Sequence, residues 1–569
     1  MTHSHPNTTL DCLFEFSKRT PNKTCLVQPH NGQLHQWSWQ EVLHDARCIA
    51  SALQTHGVKP GDRVVIWSKN CAQWFIADYA IAMLGAVSVP VYPGQSSDSV
   101  HFVLDHSKAV FVIVGKQDDE QPVIDTLTQR PIPILAMPYY SGPANLQWQA
   151  CIKKSAPHFQ PHPITLDDLM TIVYTSGTTG NPKGVMHTYR SYGATCQMYM
   201  DLFNATQEHR FFSYLPLAHL AERIIVQGNS IYAGATVYFA ESLDTFLDDI
   251  QRAQPTVFFA IPRIWEKFRE RILTRINEKR LNTLLKLPLI NRVIKHVLQR
   301  SLGLNKAEII GCGAAPVSSQ TLNWFDALNI KILEGYGMTE NACYGSLNLP
   351  DQRILGSVGR PLPDCEIKLD NNNSEVLLKS PGLMTGYYED KVTTASVFDE
   401  HGFYRTGDKG KIDDRGYVHI VGRLKEQFKS SKGKFIVPSK IERLLTSHPY
   451  LEQVCVFGSG MTQPVVAAQL SELGIAQDKA ILLNQLTDFL RETNMQLEAS
   501  ERLESLWLSS FEWSVDNQLM TPTLKVKRHQ VEELFKPYVV QKIQTESCNL
   551  ITHISELQQV INHMHVKQN

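Results

Sequence analysis

Short β-branched runs alternate with longer helix-patterned segments over most of the first 420 or so residues, and that alternation confines the chain to α/β architecture. RVVIWS (63–68), AVSVPVY (86–92), AVFVIVG (109–115), MTIVYTSG (170–177), ATVYFA (235–240) and TVFFAIP (256–262) read as buried strands, with helical patterning at 39–56 and 73–84. At 569 residues the chain exceeds what one core can organise, since single cores stop growing near about 250–300 residues. Two or more lobes are therefore expected. Near Asp408 the texture changes. KIDDRGYVHIVGR (411–423) reads as a hairpin turning at Asp414, Arg415 and Gly416, and the charged connector LKEQFKSSKGKF (424–435) follows it. A smaller α/β unit then runs to about residue 540, with SKIERLLTSHP as a helix and QVCVFG as a strand. The boundary falls close to residues 423–426, giving domains of 1–422 and 423–541 and an extension of 542–569 in which ISELQQVINHM reads as a helix.

Composition removes several classes of protein. Hydrophobic residues make up 43% and charged residues 20% of the chain, which are globular values. The 55 lysines and arginines balance 56 acidic residues, so net charge gives no reason to expect a nucleic acid partner. Eleven dispersed cysteines, without a C-x-x-C pair, fit a reduced compartment and argue against disulfides and structural zinc. The opening MTHSHPNTTLDC lacks the basic-then-apolar design of a signal peptide, and the most apolar passage, 80–91, is interrupted by Ser88 and Pro90. A soluble cytoplasmic protein is expected, with peripheral contact at the inner membrane surface left open.

The chemistry concentrates in a few strings. YTSGTTGNPKGVM (174–186) follows an apolar strand with Thr175, Ser176, Gly177, Thr178, Thr179 and Gly180, small residues whose hydroxyls and closely approaching amides can cradle phosphate oxygens. Lys183 adds a mobile positive charge. No G-K-[ST] closes the loop, so it is not a P-loop. A serine, threonine and glycine cluster alone would be an ordinary surface loop, but this full string is far more specific.

The segment resembles the signature of the adenylate-forming superfamily, which holds acyl-CoA synthetases, luciferases and peptide-synthetase adenylation domains. Other motifs of that superfamily follow in order. In EGYGMTE (334–340) the resemblance implies Tyr336 against adenine, Gly337 beside it, Thr339 at the α-phosphate and Glu340 holding magnesium. GCGAAPVS (311–318) is similar to the strand end lining the adenine and acyl site, which implicates Gly313, Ala314 and Ala315. YRTGDKG (404–410) implies Asp408 as the ribose ligand, a suitable task for a carboxylate because two vicinal hydroxyls can donate to its two oxygens. Arg423 in GRLKE matches the arginine that also contacts ribose, and Lys425 occupies the position about which the small, mobile domain swings, giving a hinge at 423–426. LMTPTLKVKR (519–528) places the catalytic lysine at Lys525, with Leu524 where a glycine is frequent. YLPLAHLAER (214–223) resembles the long-chain and very-long-chain acyl-CoA synthetase version, with His219 near the acyl and adenylate site.

The resemblance thus implies an ATP-dependent, magnesium-using ligase that converts a fatty acid to its acyl-adenylate and then to a thioester of CoA. Two alternatives stay open: a ligase that loads an acyl carrier protein, and a non-catalytic nucleotide- or lipid-binding relative. One further stretch stands out. Residues 263–306 hold twelve lysines and arginines against Glu266, Glu270 and Glu278, and Leu287, Ile290, Ile294, Val297 and Leu298 recur at helical spacing. Either that stripe packs on the large domain or it meets a membrane surface.

Overall fold

The computed structural model describes residues 7–545 and 551–553, apart from 155, 157, 176–181, 516 and 522–524. The helix expected at ISELQQVINHM lies outside them. Two large sheets dominate the N-terminal part. One has eight strands in the order Gly386–Tyr387, Lys183–Thr188, Leu169–Thr175, Val87–Val91, Arg63–Trp67, Ala109–Val114, Ile134–Ala136 and Leu146–Gln147. The other has nine, and its centre runs through Leu333–Tyr336, Ile309–Cys312, Val257–Ala260, Arg210–Ser213, Thr236–Phe239 and Thr24–His30. Pairing among these six is parallel, so loops carrying chemistry gather at the carboxyl ends of strands.

The helix Ala72–Met83 explains how the two sheets become one body. All twelve of its residues are buried, including those around its whole circumference, as expected for a helix that is apolar all round. Its side chains share a core with Val64, Ile66 and Phe111 of the first sheet and with Leu26, Phe211 and Val237 of the second. The helix carries one charged residue, Asp78, which receives two bonds from the guanidinium of Arg223 at 2.9 and 2.8 Å. Arg223 is 0% exposed. It also donates to Thr171 Oγ1 at 2.7 Å and lies over the rings of Trp74 and Tyr192. The cluster ties the central helix to the strand that leads into the phosphate-loop string and to the segment that follows His219, where residues Arg223–Gly228 form a π-helical turn.

A third, antiparallel sheet joins Glu366–Leu369, Glu375–Lys379, Tyr404–Ile412 and Val418–Arg423. The sequence-based hairpin is present, with Ile412 opposite Val418, but its first strand begins earlier, at Tyr404, and so contains the whole YRTGDKG string. Another hairpin, Thr24–His30 with Gln33–Ser38, has no counterpart in the sequence expectations. Its outer strand, QLHQWS, lies at a sheet edge and is largely exposed, so no apolar run marks it.

The C-terminal unit builds a sheet from Leu451–Phe457, Val465–Leu470, Leu506–Ser509 and Ile551–His553. Helices Pro438–Leu445 and Lys479–Met495 cover one face, and Arg528–Thr545 covers the other. Arg263 reaches this unit from the large domain, with Glu452 at 2.7 Å. No helix among the described residues is long and apolar enough to cross a membrane.

Arg223→Ala should destabilise the protein by about 3–5 kcal/mol, because Asp78 is left as an unpaired buried charge. Asp78→Leu combined with Arg223→Met should be much milder than either single change. Urea denaturation of Arg223→Ala, Asp78→Leu, Arg223→Met and the double variant checks this, and additive losses in the last three would deny the coupling.

Candidate functional site

A cleft of about 2790 Å³ opens where the strand ends converge. Into it the strand Leu333–Tyr336 delivers the turn at Thr339–Asn341. Gly337 must lack a side chain here, because a Cβ would sit 2.5 Å from the backbone of Cys343. The turn is held from outside. His187 Nε2 donates to the Thr339 carbonyl at 2.7 Å, and the Met384 amide donates to the Glu340 carbonyl at 2.8 Å. The Glu340 carboxylate is partly exposed to the cleft. Its Oε1 accepts from the Tyr387 hydroxyl at 3.1 Å, and that hydroxyl lies 3.1 Å from the one on Tyr404. Lys183 Nζ sits 5.1 Å from the Tyr387 ring centroid.

Asp408 and Arg423 face one another across the antiparallel ladder. Asp408 Oδ1 lies 2.9 Å from Arg423 Nε, and Oδ2 accepts from the Tyr336 hydroxyl at 2.6 Å. The carboxylate is nearly buried at 4% exposure. Burial pushes its pKa up, and the pull of Arg423, Tyr336 and Lys525 offsets this only in part. Lys525 comes from the other domain and lines the same cleft. It is reachable by solvent in the cleft, yet protein walls surround it. Desolvation by those walls lowers its pKa first, and Arg423 adds to the effect, while Asp408 and Glu426 oppose it.

Gly313, Ala314 and Ala315 follow the strand Ile309–Cys312 and line the cleft. Ala314 adopts φ 68°, a left-handed conformation uncommon for a residue with a side chain. Gly313 has Phe259 where a Cβ would go, at 3.1 Å. His219 lines the same cleft and caps a short helix. Its Nδ1 accepts from the Ala221 amide at 3.1 Å, so the neutral ring carries its proton on Nε2. Burial pushes the His219 pKa down to about 4, and nearby Lys525 acts in the same direction. The two residues that end the same string serve the core instead. Glu222 accepts from Ser213 Oγ at 2.8 Å and from the Tyr214 amide at 3.0 Å, and burial raises its pKa to about 8.

Lys425 sits exposed in the turn after Arg423 and also lines the cleft. Its neighbour Glu426 lies 3.3 Å from Arg528, whose guanidinium also binds Glu442 and donates to the Val456 carbonyl at 2.7 Å. Arg528 is thus a strut between the connector, helix Pro438–Leu445 and the sheet of the small domain.

The structure therefore gathers Thr175, Lys183, His219, Gly313, Ala314, Ala315, Tyr336, Gly337, Thr339, Glu340, Asp408, Arg423, Lys425 and Lys525 around one cleft. Ser176, Gly177, Thr178, Thr179 and Gly180 lie outside the described residues. Sequence reasoning missed His187, Tyr387 and Tyr404. His187 immediately follows the phosphate-loop string, and Tyr404 opens YRTGDKG, so adjacency to a motif was the available signal. Nothing local marks Tyr387. Among the described residues no cluster of three or more histidine, cysteine, aspartate or glutamate side chains is placed to hold a metal ion.

Comparisons with known proteins match both parts of the chain. The family described as AMP-binding enzyme matches residues 13–388, and the AMP-binding enzyme C-terminal domain matches residues 425–545. Long-chain-fatty-acid--CoA ligase 1 of Homo sapiens is 28% identical, with 91% of this chain and 84% of that protein aligned. The peroxisomal long chain acyl-CoA synthetase 7 of Arabidopsis thaliana is 28% identical over 89% of this chain and 81% of its own. Among solved structures, the adenylation domain of a carboxylate reductase from Mycobacterium chelonae superposes with a TM-score of 0.82 at 21% identity, covering 96% of this chain and 92% of that one. The o-succinylbenzoate coenzyme A synthetase of Bacillus subtilis, in complex with ATP and magnesium ion, gives 0.72 at 22% identity, covering 92% and 99%. At these identities the solved structures establish the fold alone.

His219 should remain neutral at pH 5.5 and take up a proton only near pH 4, because folding disfavours its charged form. Assigning its imidazole signals by difference from His219→Gln, then titrating by NMR, tests this. A midpoint near 6.5 would contradict the burial described.

Proposed function

The chain belongs to the AMP-binding enzyme family, and from that premise we propose that it is an ATP-dependent ligase that activates a fatty acid, of long-chain class, as acyl-AMP and then forms acyl-CoA. The observation that carries this reading is the shared cleft: Lys525 of the small domain lines the same space as Asp408, Arg423, Thr339 and Glu340 of the large one. The curated relatives named above support the fatty acid and CoA as substrates. On this reading the domains are 1–422 and 423–541 with a hinge at 423–426, followed by an extension at 542–569, and the protein acts in the cytoplasm or peripherally on the inner membrane surface.

The chemistry follows from charge. A fatty carboxylate must attack the α-phosphorus of an anionic nucleotide, so repulsion has to be neutralised and the groups aligned in line. Asp408 and Arg423 fix the ribose, Tyr336 lies at adenine with Gly313, Ala314, Ala315 and Gly337, and the string Thr175, Ser176, Gly177, Thr178, Thr179 and Gly180 with Lys183 cradles the phosphates. Thr339 binds the α-phosphate. Glu340 fits magnesium, since a carboxylate partly exposed to the cleft, with one oxygen held by Tyr387, suits an ion that arrives on phosphates and retains water; bound there, the ion would neutralise phosphate charge. Lys525 offsets the negative charge that builds as the carboxylate oxygen bonds to phosphorus and pyrophosphate leaves. In the second step the CoA sulfur bonds to the acyl carbon, the thiol proton is lost, and the C–O bond to AMP breaks. The neutral His219, next to the acyl site, lines the pocket without competing for the carboxylate as a cation.

A panel of short to very long fatty acids and aromatic acids, assayed for AMP release with and without CoA, tests the reading. Acyl-adenylate formation without CoA-dependent turnover would shift it to a carrier-loading ligase, and absence of pyrophosphate exchange would favour a non-catalytic relative.

Lys525→Ala should cut acyl-adenylate formation about a hundred- to thousandfold, the usual cost of roughly 3–4 kcal/mol for one aligned electrostatic group. Thioester formation from supplied acyl-adenylate should suffer much less. Equal losses in the two half-reactions would count against a two-step division of labour.

Lys425→Pro should show the opposite pattern. Proline fixes φ near about −65° and obstructs rotation at the hinge, while every group assigned above to the nucleotide, the magnesium and the carboxylate stays in place. Stopped-flow measurement of both half-reactions should find adenylation retained and CoA transfer slowed, and normal rates in both would place the hinge elsewhere.

A further inference from the structure

The basic stretch 263–306 plays no part in the chemistry above. It folds as three consecutive helices, Pro262–Arg275, Glu278–Leu285 and Pro288–Ser301. The aliphatic stripe noted in the sequence divides between two environments. Ile294 and Leu298 pack against the core around Trp265 and Phe325, whereas Leu287, Ile290 and Val297 stand in solvent together with Val293, itself 62% exposed. Ile290, Val293 and Val297 fall on one helical face. Thirteen large hydrophobic residues are exposed among the described residues, and four of them lie between positions 287 and 297. This is a concentrated patch, not scattered surface apolarity.

Charge surrounds the patch asymmetrically. The stretch has twelve basic and three acidic residues, and all three acids are engaged with the fold. Glu266 accepts from Thr321 Oγ1 at 2.6 Å, Glu270 from the Leu473 amide at 3.4 Å, and Glu278 lies 3.5 Å from Arg269. Among the described residues only Arg263 and Arg269 of the twelve basic residues have a carboxylate within 4.0 Å. Lys279, Arg280, Lys286, Arg292, Lys295 and Arg300 keep their charges uncompensated.

We propose that this face docks reversibly on an anionic lipid bilayer, with the aliphatic row of Pro288–Ser301 entering the interfacial layer and the flanking cations against lipid phosphates. A second copy of the chain fits poorly, because a two-fold interface would press each unpaired basic cluster against its own like. Nucleic acid would match the charge but leave the aliphatic row exposed. The proposal does not rest on the reaction assigned above, and either one can fail alone.

Vesicle flotation of the full chain tests it, using phosphatidylcholine with and without phosphatidylglycerol at low and high salt. Binding is expected on anionic vesicles at low salt and should be at least about tenfold weaker on neutral vesicles or at high salt. Arg292→Gln, Lys295→Gln and Arg300→Gln together should reduce binding by roughly a hundredfold, and Ile290→Ser, Val293→Ser and Val297→Ser together should also reduce it, with thermal melting confirming that each variant folds. In the unmodified protein, vesicles should slow amide exchange within 278–301. No binding to anionic vesicles at low salt, undiminished binding by both triple variants, or protection elsewhere would overturn the proposal. So would a dimer that the serine variant dissociates.

Discussion

The buried pair of Asp78 and Arg223 is the constraint on which the rest of the large domain depends. A charge inside a helix that is buried on every side is tolerable only when paired and hydrogen-bonded, and Asp78 meets that condition through Arg223 and Gln227. Arg223 in turn reaches Thr171, in the strand whose far end is Thr175. The central helix, the strand entering the phosphate-loop string and the segment after His219 therefore have one mutual arrangement. Slippage of any of them would strand an ion in the core, so the walls of the cleft inherit their positions from a contact that never touches it.

Within the cleft, the same low polarity that makes burial costly makes each fixed charge effective. Asp408 is held against its raised pKa by Arg423 and Tyr336, and Lys525 is biased toward losing its proton by the walls and by Arg423. A lysine in that setting gains much from a nearby phosphate, which restores the negative charge that Asp408 supplies only in part. Such an arrangement favours an anionic ligand, which is what the proposed reaction requires.

Much of this was legible in the sequence, for identifiable reasons. Runs such as VVIW (64–67) and FVIV (111–114) are buried on both faces in a parallel sheet, so no alternation was needed to reveal them. Motif residues including Tyr336, Asp408 and Lys525 stood out because their strings are specific as strings. The edge strand Gln33–Ser38 was hidden by its polarity, and the early start of Tyr404–Ile412 by its Gly407, Asp408 and Gly410, residue types depleted in strands. His187, Tyr387 and the split of the stripe around Ile294 depend on contacts between segments far apart in the chain. Spacing could place Ile290, Val293 and Val297 on one face, but only packing decided which face met the core.

The bridge between Arg263 and Glu452 has a further implication for how the halves of the molecule cooperate. It crosses from one domain to the other, with both side chains partly accessible at 15% and 21%, and such pairs contribute little, on the order of 0–1 kcal/mol, and are weakened by salt. On the hinge proposed above, a turn of the small domain about Lys425 would part these groups. Under that proposal the clasp is weak enough to release and remake in every cycle, and dissolved ions become a dial on the dwell time of each posture: fresh water would prolong the one described here, and brine would shorten it.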